Sequence, residues 1–367
     1  MRSTKPSART GIHRAARTED AVRGLVNRLL VRRGWRPQVL PFAGYGLASD
    51  GASENGGTDG WVRVIGRALL TPPGSRRRDP AAVRGWRRFV SAPAPGVQVV
   101  VEVGGRRHEV TSGRDGYLDV VVPADLPVGR GEALVSAAGS PPVVAPLYVL
   151  ARGEGTGIVS DIDDTVMITA LPRPLVAFWN TFVRQEAARR PVPGMPLLYH
   201  ALLDAHPGAF VVYLSTGPWN VAPALEQFLA RNGYPPGPLL LTDWGPTDSA
   251  WFRSGREHKT TQLRRLLGEL PGRDWILVGD DGQHDPEIYG SIGQESPDRI
   301  RAVVLRQLSA IEQVLTHGTP EPPEQLQEHP APAVEEVRAP DGVQLLAALR
   351  RRGLLPADAG WPDRREG

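Results

Sequence analysis

An apolar run ends in three carboxylates at Gly157-Ile-Val-Ser-Asp-Ile-Asp-Asp-Thr165. Residues 158–160 read as a buried strand, and Asp161, Asp163 and Asp164 follow within four positions. Like charges this close disfavour one another's ionisation unless a cation is at hand. A hard divalent ion with oxygen ligands is the natural counterion, and Mg²⁺ is the usual one at phosphate sites. An aspartate carboxylate can also attack phosphorus to give an aspartyl-phosphate. A second carboxyl two residues on can protonate the leaving oxygen and later activate water.

Three more groups follow later apolar runs. Residues 210–214 lead into Ser215-Thr216, hydroxyls suited to a phosphoryl oxygen, although Ser215 also reads as a plain helix N-cap. Lys259 opens a helical pattern and could neutralise both the nucleophile and a transferring phosphoryl group; as an isolated residue it reads equally as a surface lysine. Residues 275–278 deliver Gly279-Asp-Asp-Gly-Gln-His-Asp285, a second acidic cluster able to complete a metal site. His258 and His284 stay outside the metal set, because an oxygen-rich site suits a hard ion. Asp164 and Thr165 read as turn formers. Trp219, Arg253 and Arg256 are candidates to line the substrate, with packing or surface charge as their plainer reading.

Alternating strands and helices position these groups. Apolar runs at 158–160, 210–214, 239–241, 275–278 and 300–305 alternate with helical patterns near 194–205, 221–232 and 258–268. This predicts an α/β fold, a parallel sheet with helices on both faces, in which ligands bind beyond the carboxyl ends of the strands. Residues 166–193 should form a small flap, where Leu175, Phe178, Trp179 and Phe182 either seat a helix or meet an acyl chain. Upstream, short runs at 62–70, 98–103, 109–110, 117–122, 133–136 and 143–150 predict a small antiparallel β-sandwich. Between its first strands, Arg76 to Arg78, Arg84, Arg87 and Arg88 interleave with Trp86 and Phe89. The expected order is a disordered start, basic helix and loop over 1–60, the sandwich over 61–150, the α/β domain over 151–316, and a Pro/Glu-rich linker with a last helix near 341–352 over 317–367.

The helix expected over 19–33 carries Val22, Leu25, Val26, Leu29 and Leu30 on one stripe flanked by Arg23, Arg28, Arg32 and Arg33. Such a stripe packs on the protein's own core or lies on an anionic membrane; the first reading is preferred. Residues 1–115 hold 21 Lys/Arg against 9 Asp/Glu, while the whole chain is only +3. A basic front half suits an anionic partner. The absence of Cys excludes disulfides and thiolate chemistry. No secretory signal or transmembrane segment is evident, so the expected location is cytoplasmic, with a peripheral place at the membrane as a further option.

In order, Asp161, Asp163, Ser215, Lys259 and Asp280 with Asp285 resemble the motifs of the haloacid dehalogenase-like phosphatase superfamily. The resemblance implies a Rossmann-like fold, Asp161 as nucleophile, Asp163 as general acid/base, Ser215 as the second-motif hydroxyl and Lys259 as the third-motif lysine. It also implies that Asp161, the backbone carbonyl of Asp163 and Asp280 hold Mg²⁺, with Asp285 orienting the site through water or directly. The wording is narrower still: Asp161-Ile-Asp-Asp-Thr165, Leu214-Ser-Thr-Gly-Pro-Trp-Asn220, Asp243-Trp-Gly-Pro246, Phe252-Arg-Ser-Gly-Arg-Glu-His-Lys259 and Gly279-Asp-Asp-Gly-Gln-His-Asp-Pro-Glu-Ile-Tyr289. Over 157 to about 307 the chain is similar to the actin-patch-associated phosphatidate phosphatase catalytic family. That similarity implies Mg²⁺-dependent removal of phosphate from phosphatidate to leave diacylglycerol. Asp281 departs from the pattern, standing where a small residue is expected, so either Asp281 or Asp285 completes the metal shell.

The sequence therefore predicts a Mg²⁺-dependent phosphomonoesterase with a phosphatidate-like substrate at a membrane surface. The rival readings are a phosphatase for a soluble or nucleic-acid-end ester, with nucleic acid the less favoured partner, and a scaffold with an inert α/β domain. The oligomeric state is not readable.

Overall fold

Two patterns of apolar residues divide the chain between two sheets. The computed structural model describes residues 24–49, 60–73, 92–113, 115–168, 190–242, 251–282, 284–309, 312–313 and 334–357. The Arg/Trp-rich stretch 76–89, most of the expected flap, the Asp243 motif and most of the Pro/Glu-rich linker lie outside the described residues.

In the first sheet, apolar residues alternate. β4 (Gln98–Val103) buries Val99, Val101 and Val103 and exposes Gln98 and Glu102, the period-two signature of a sheet with one covered face. Its companions are β1 (Arg36–Leu47), β2 (Trp61–Thr71), β3 (Ala92–Pro93), β5 (Arg106–Thr111), β6 (Tyr117–Pro123), β7 (Gly129–Ala137) and β8 (Val143–Leu150). Hydrogen bonding joins all eight into one sheet in the order β3-β2-β1-β8-β7-β4-β5, with β6 also on β2. The sheet curls, so that Val62, Val99, Leu118, Val135 and Leu147, from strands along its whole width, share one core. The sequence reading expects a two-sheet antiparallel sandwich; the strands instead pair as one sheet, and β1 runs parallel to β8.

β1 lies in a stretch to which the sequence reading assigns no strand. Pro37, Pro41, Gly44 and Gly46 argue against a strand, since proline cannot donate to a ladder. The register explains their tolerance. β8 pairs only with Gly44–Leu47, so Pro37 and Pro41 sit where β2 alone is the neighbour. Gly44 and Gly46 are needed for close approach, because a Cβ at either would meet the backbone oxygen of Arg63 or Trp61 at 2.0 or 2.1 Å.

The preceding helix α1, residues 24–32, falls inside the expected helix, whose first residues lie outside the described ones. Its stripe does not pack as preferred. Leu30 meets the small core of Ala68, Leu70 and Ala94, while Leu25, Val26 and Leu29 are about half exposed (55%, 45% and 47%).

The second sheet has near-continuous apolar strands, as a parallel sheet covered on its faces requires. Its strands are β9 (Gly155–Asp161), β12 (Phe210–Pro218), β13 (Leu239–Thr242), β14 (Arg273–Asp280), β15 (Ile300–Arg306) and β16 (Glu336–Ala339). All neighbours are parallel in the order β13-β12-β9-β14-β15-β16. A two-stranded hairpin of β10 (Met167–Ile168) and β11 (Arg190–Pro191) closes the base of the flap. The helices are α2 (Met195–Ala205), α3 (Ala222–Arg231), α4 (Trp251–Glu269), α5 (Asp285–Glu295) and α6 (Gly342–Arg351). The chain moves outward from β9 through β12 to β13, then returns to β14 on the other side of β9. That reversal opens the crevice in which open α/β sheets bind ligands.

The C-terminal residues complete this body. β16 extends the sheet beside β15, and α6 starts with Asp341, whose carboxylate accepts from Gln344 N at 2.9 Å, a normal N-cap. Leu345, Leu346 and Leu349 are buried in a core that also holds Leu198 and Leu202 of α2. That core is continuous with Phe42, Tyr45, Ile65 and Tyr148 of the first sheet. Leu345→Ala should therefore lower stability by about 2–5 kcal/mol, read as a shifted urea midpoint; an unchanged midpoint would mean that α6 is not docked.

Candidate active site

Strand register brings three chain segments to one level. Asp161 pairs with Leu214 of β12, and Ser160 with Val278 of β14. Ser215 and Asp280 therefore emerge on either side of Asp161 at the carboxyl edge. Lys259, on α4 and only 4% exposed, places Nζ 2.6 Å from Asp161 Oδ1 and 2.6 Å from Asp285 Oδ1. Asp285 opens α5, where a carboxylate is favoured by the helix's positive end. Gly279 makes room for it: a Cβ there would meet Asp285 Oδ2 at 2.6 Å and the Tyr289 ring at 2.7 Å.

Carboxylate oxygens of Asp161, Asp280 and Asp285 lie within 4.8 Å of one another. Asp161 Oδ2, Asp280 Oδ2, Asp285 Oδ2 and also Asp163 Oδ1 are buried with no donor among the described residues. Unsatisfied buried carboxylate oxygens are costly, and an all-oxygen donor set is what a hard divalent cation of the Mg²⁺ kind takes. Burial holds the Asp161 carboxyl well above its ordinary range, with Lys259 pulling it back and Asp285 pushing it further up. Burial, then Asp285 and Asp161, do the same to Asp280. A cation reverses this logic by favouring the ionised forms. Lys259 is held charged: Asp161 and Asp285 together outweigh its burial and raise its pKa.

Asp163 differs. Its carboxylate accepts from Ser215 Oγ at 3.1 Å. Burial first and the charge of Asp164 second push it up to about 7, against Lys259 and Ser215, which lower it. A carboxyl that holds a proton near neutrality is suited to acid–base work. Its side chain is not part of the three-carboxylate group. Asp164 takes φ 58, a left-handed turn that Asp adopts more readily than most residues. The turn is pinned by Asp164 N donating to Met167 O at 2.8 Å.

The other expected site residues divide. Ser215 Oγ also accepts from Gly217 N at 2.9 Å, so the hydroxyl organises its own loop as well as Asp163. Thr216 is half-buried; its carbonyl accepts from Thr242 Oγ1 at 3.0 Å and its methyl faces Gly255 of α4. Trp219 does not line a pocket mouth. It is 1% exposed, stacked on Phe42 with centroids 4.5 Å apart and next to Tyr117 at 5.4 Å. Arg256 is not turned to the cluster either, but forms an exposed ion pair with Glu287 at 2.7 Å. The side chain of Arg253 lies outside the described residues. Asp281 Oδ1 accepts from Leu308 N at 2.8 Å, so Asp285, not Asp281, joins the acidic group. His284 is exposed at the N-cap of α5.

Sequence reasoning missed Arg306. It is 4% exposed; its Nη1 donates to Asp164 O at 2.7 Å, its Nε to Pro340 O at 3.2 Å, and its Nη2 pairs with Glu312. At the end of the 300–305 run it looks like any charged strand terminus. Only the pairing of β14, β15 and β16 brings it to the Asp164 turn.

Comparison with known proteins bears on the same stretch. Residues 156–307 match the family described as phosphatidate phosphatase APP1, catalytic domain. Over this stretch the chain is similar to the APP1 catalytic domain. Phosphatidate phosphatase APP1 of Saccharomyces cerevisiae is 31% identical over 153 residues, which is 41% of this chain and 26% of that protein. An uncharacterised protein of Schizosaccharomyces pombe is 24% identical over 153 residues, 41% of this chain and 25% of that one. The chain thus matches about a quarter of the length of each fungal relative. The HAD domain of the Legionella pneumophila effector Lem4 aligns at 14% identity over 42% of this chain and 86% of that one, with a TM-score of 0.28, too low to carry an argument.

Next to Lys259 in the matched segment, His258 is largely buried. Burial, and more weakly the charges of Arg265 and Lys259, lower its pKa to about 4 from 6.5, while a hydrogen bond to the Leu240 backbone opposes them. Between these values the unfolded chain binds the proton more readily, so the contribution of His258 to stability is full above about pH 6.5 and is lost as pH falls toward about 4. The urea midpoint of the wild type should therefore drop more between about pH 7 and about pH 5 than that of His258→Asn. Equal drops would mean that His258 is not held neutral.

Proposed function

We propose that the chain is a Mg²⁺-dependent phosphomonoesterase of the haloacid dehalogenase type, acting through an aspartyl-phosphate on Asp161, with phosphatidate as its substrate class. The observation that carries this reading is the buried group of Asp161, Asp280, Asp285 and Lys259 at the carboxyl ends of parallel strands, with one oxygen on each carboxylate left without a donor among the described residues. The similarity of residues 156–307 to the APP1 catalytic domain supports the phosphatidate assignment; fold alone does not fix a substrate.

Asp161, Asp280 and Asp285 would hold Mg²⁺, which when bound offsets the charge of the carboxylates and of the phosphoryl oxygens. Asp161 attacks phosphorus in line, forming the Asp161–phosphorus bond as the ester P–O bond breaks. Asp163 gives its proton to the departing alkoxide. It then takes a proton from water as the water oxygen attacks phosphorus, freeing Asp161 and releasing inorganic phosphate. Ser215 orients Asp163 and, with Thr216, faces the phosphoryl oxygens. Lys259 keeps Asp161 in place between its own charge and Asp285 and balances negative charge in the transition state.

Phosphate release from phosphatidate in mixed micelles, with and without Mg²⁺, tests the reading, with a soluble phosphomonoester in parallel. Asp161→Asn should abolish Mg²⁺-dependent turnover, and Asp163→Asn should lower kcat by roughly 10²–10⁴-fold. Turnover of the soluble ester alone would sink the lipid assignment and favour the rival soluble phosphatase. Turnover of neither would sink the enzyme reading.

A lipid substrate requires approach to a membrane. No described helix is long and apolar enough to cross one. α1 instead presents exposed Leu25, Val26 and Leu29 beside exposed Arg28 and Arg32, the mix of apolar and basic groups that binds anionic lipid. Asn27, donating to Pro93 O at 2.7 Å, ties the opposite side to the first sheet. Co-sedimentation with vesicles containing phosphatidate should fall sharply for Leu25→Asp with Leu29→Asp, while turnover of the soluble ester is unchanged. Equal sedimentation of variant and wild type would remove α1 from the membrane contact.

A further inference from the structure

Among the contacts of the first sheet with the α/β body, two lead to the site. At the first, Trp219 follows directly on β12, whose Ser215 donates to Asp163. The indole is buried between Phe42 of β1, stacked at an interplanar angle of 25°, and Tyr117 of β6, tilted at 38°. Trp219 Nε1 has no hydrogen-bond partner among the described residues, and aromatic packing holds the ring. At the second place, α4 carries Lys259 and, further along the same rod, Arg265 and Glu269. Buried Arg63 of β2 bonds Glu269 through Nε at 3.1 Å and through Nη2, and Asp119 of β6 through Nη1. Arg265 Nη1 reaches Asp119 at 2.6 Å, and Tyr45 donates to Glu269 at 2.7 Å.

Ser215 and Lys259 act on Asp163 and Asp161 from different elements, and neither element is joined to the other near the site by a regular hydrogen-bond ladder. The two elements touch where Gly255 of α4 faces the Thr216 methyl, and both are also held from outside by the same eight-stranded sheet. Catalytic groups lose effectiveness when displaced by fractions of an ångström. We propose that the eight-stranded sheet is a positioning element of the site: Phe42 and Tyr117 hold the Ser215 loop through Trp219, while Arg63 and Asp119 hold the Lys259 helix. This rests on the phosphatase reading above. It makes the first sheet, outside the matched segment, part of the machinery and not only a separate binding module.

The test uses the full chain with Mg²⁺ and compares wild type, the double variant Phe42→Ala/Tyr117→Ala, Tyr117→Phe and Glu269→Gln. The readouts are kcat and KM for a soluble phosphomonoester, affinity for vanadate as a mimic of the transferring phosphoryl group, and the folded fraction by circular dichroism. Positioning predicts that the double variant loses about tenfold or more in kcat with KM within about twofold, and loses vanadate affinity in step. Tyr117→Phe, which keeps the ring, should behave as wild type, and Glu269→Gln should show a smaller drop in kcat. If the double variant does not fold, Tyr117→Leu, apolar but without a ring, makes the same comparison. The proposal is overturned if kcat per folded molecule and vanadate affinity are unchanged, or if KM alone rises. A wild type that hydrolyses no ester but binds vanadate refutes the phosphatase reading, and the vanadate affinities then decide positioning on their own; a wild type that binds no vanadate overturns positioning as well.

Discussion

Four carboxylates and one ammonium group are buried together at the carboxyl edge of the parallel sheet. With all of them ionised, Asp161, Asp163, Asp280 and Asp285 exceed Lys259 in charge, and water is not there to screen the excess. Such a cluster repels itself unless it is held by the rest of the fold and balanced by protons or a cation. Each surrounding feature addresses that constraint. Asp285 sits at a helix start, Gly279 gives it space, Lys259 bridges it to Asp161, and Asp163 moves toward its protonated form. The raised pKa values of Asp161 and Asp280 express the cost of the cation-free arrangement. A bound divalent ion would lower that cost, so metal binding and stability are linked through the same residues.

Much of this was legible because most candidate site residues follow strongly apolar runs. Asp161, Asp163, Asp280 and Asp285 are found by that rule and Lys259 by its order among the motifs; the side chains of Asp161, Asp280, Asp285 and Lys259 meet in one buried group. The apolar runs also mark β4 and β8 to the residue and β2, β6, β13, β14 and β15 within two residues, while β5, β7, β9 and β12 extend further and β3, β10, β11 and β16 have no run. Residues whose role depends on a distant neighbour were not legible. Trp219, beside the Ser215 loop, reads as a lining residue until Phe42 and Tyr117 are seen to cover it. Arg256 reads as a phosphate contact, yet the α4–α5 packing gives it Glu287. Arg306 has no local signature at all.

Two errors in the fold share a cause. β1 was hidden by Pro37, Pro41, Gly44 and Gly46, residues that local rules assign to turns, whereas its one-sided pairing and its close contact with β2 require or tolerate them. The stripe of α1 was assigned to the core because amphipathic helices usually bury their apolar side; only Leu30 does so, since the core it meets is small. Local propensity gives way to tertiary context in both cases.

The limits of the family-matched segment are therefore not the limits of the site. Upstream of residue 156, Phe42, Tyr117, Arg63 and Asp119 contact the Ser215 loop and the Lys259 helix. Downstream of residue 307, Pro340 accepts from the Arg306 guanidinium that also holds Asp164 O, and Gly342 N donates to Pro193 O at 2.9 Å at the base of the flap. The Asp161–Asp164 turn is thus fixed from the C-terminal side and the opposing groups from the N-terminal side. A buried excess of negative charge tends to push such segments apart, and restraint from two independent directions resists that better than the loop hydrogen bonds of the segment alone. On this view the first sheet and the C-terminal strand and helix are counterparts: each clamps one side of a cluster that would otherwise relax toward water.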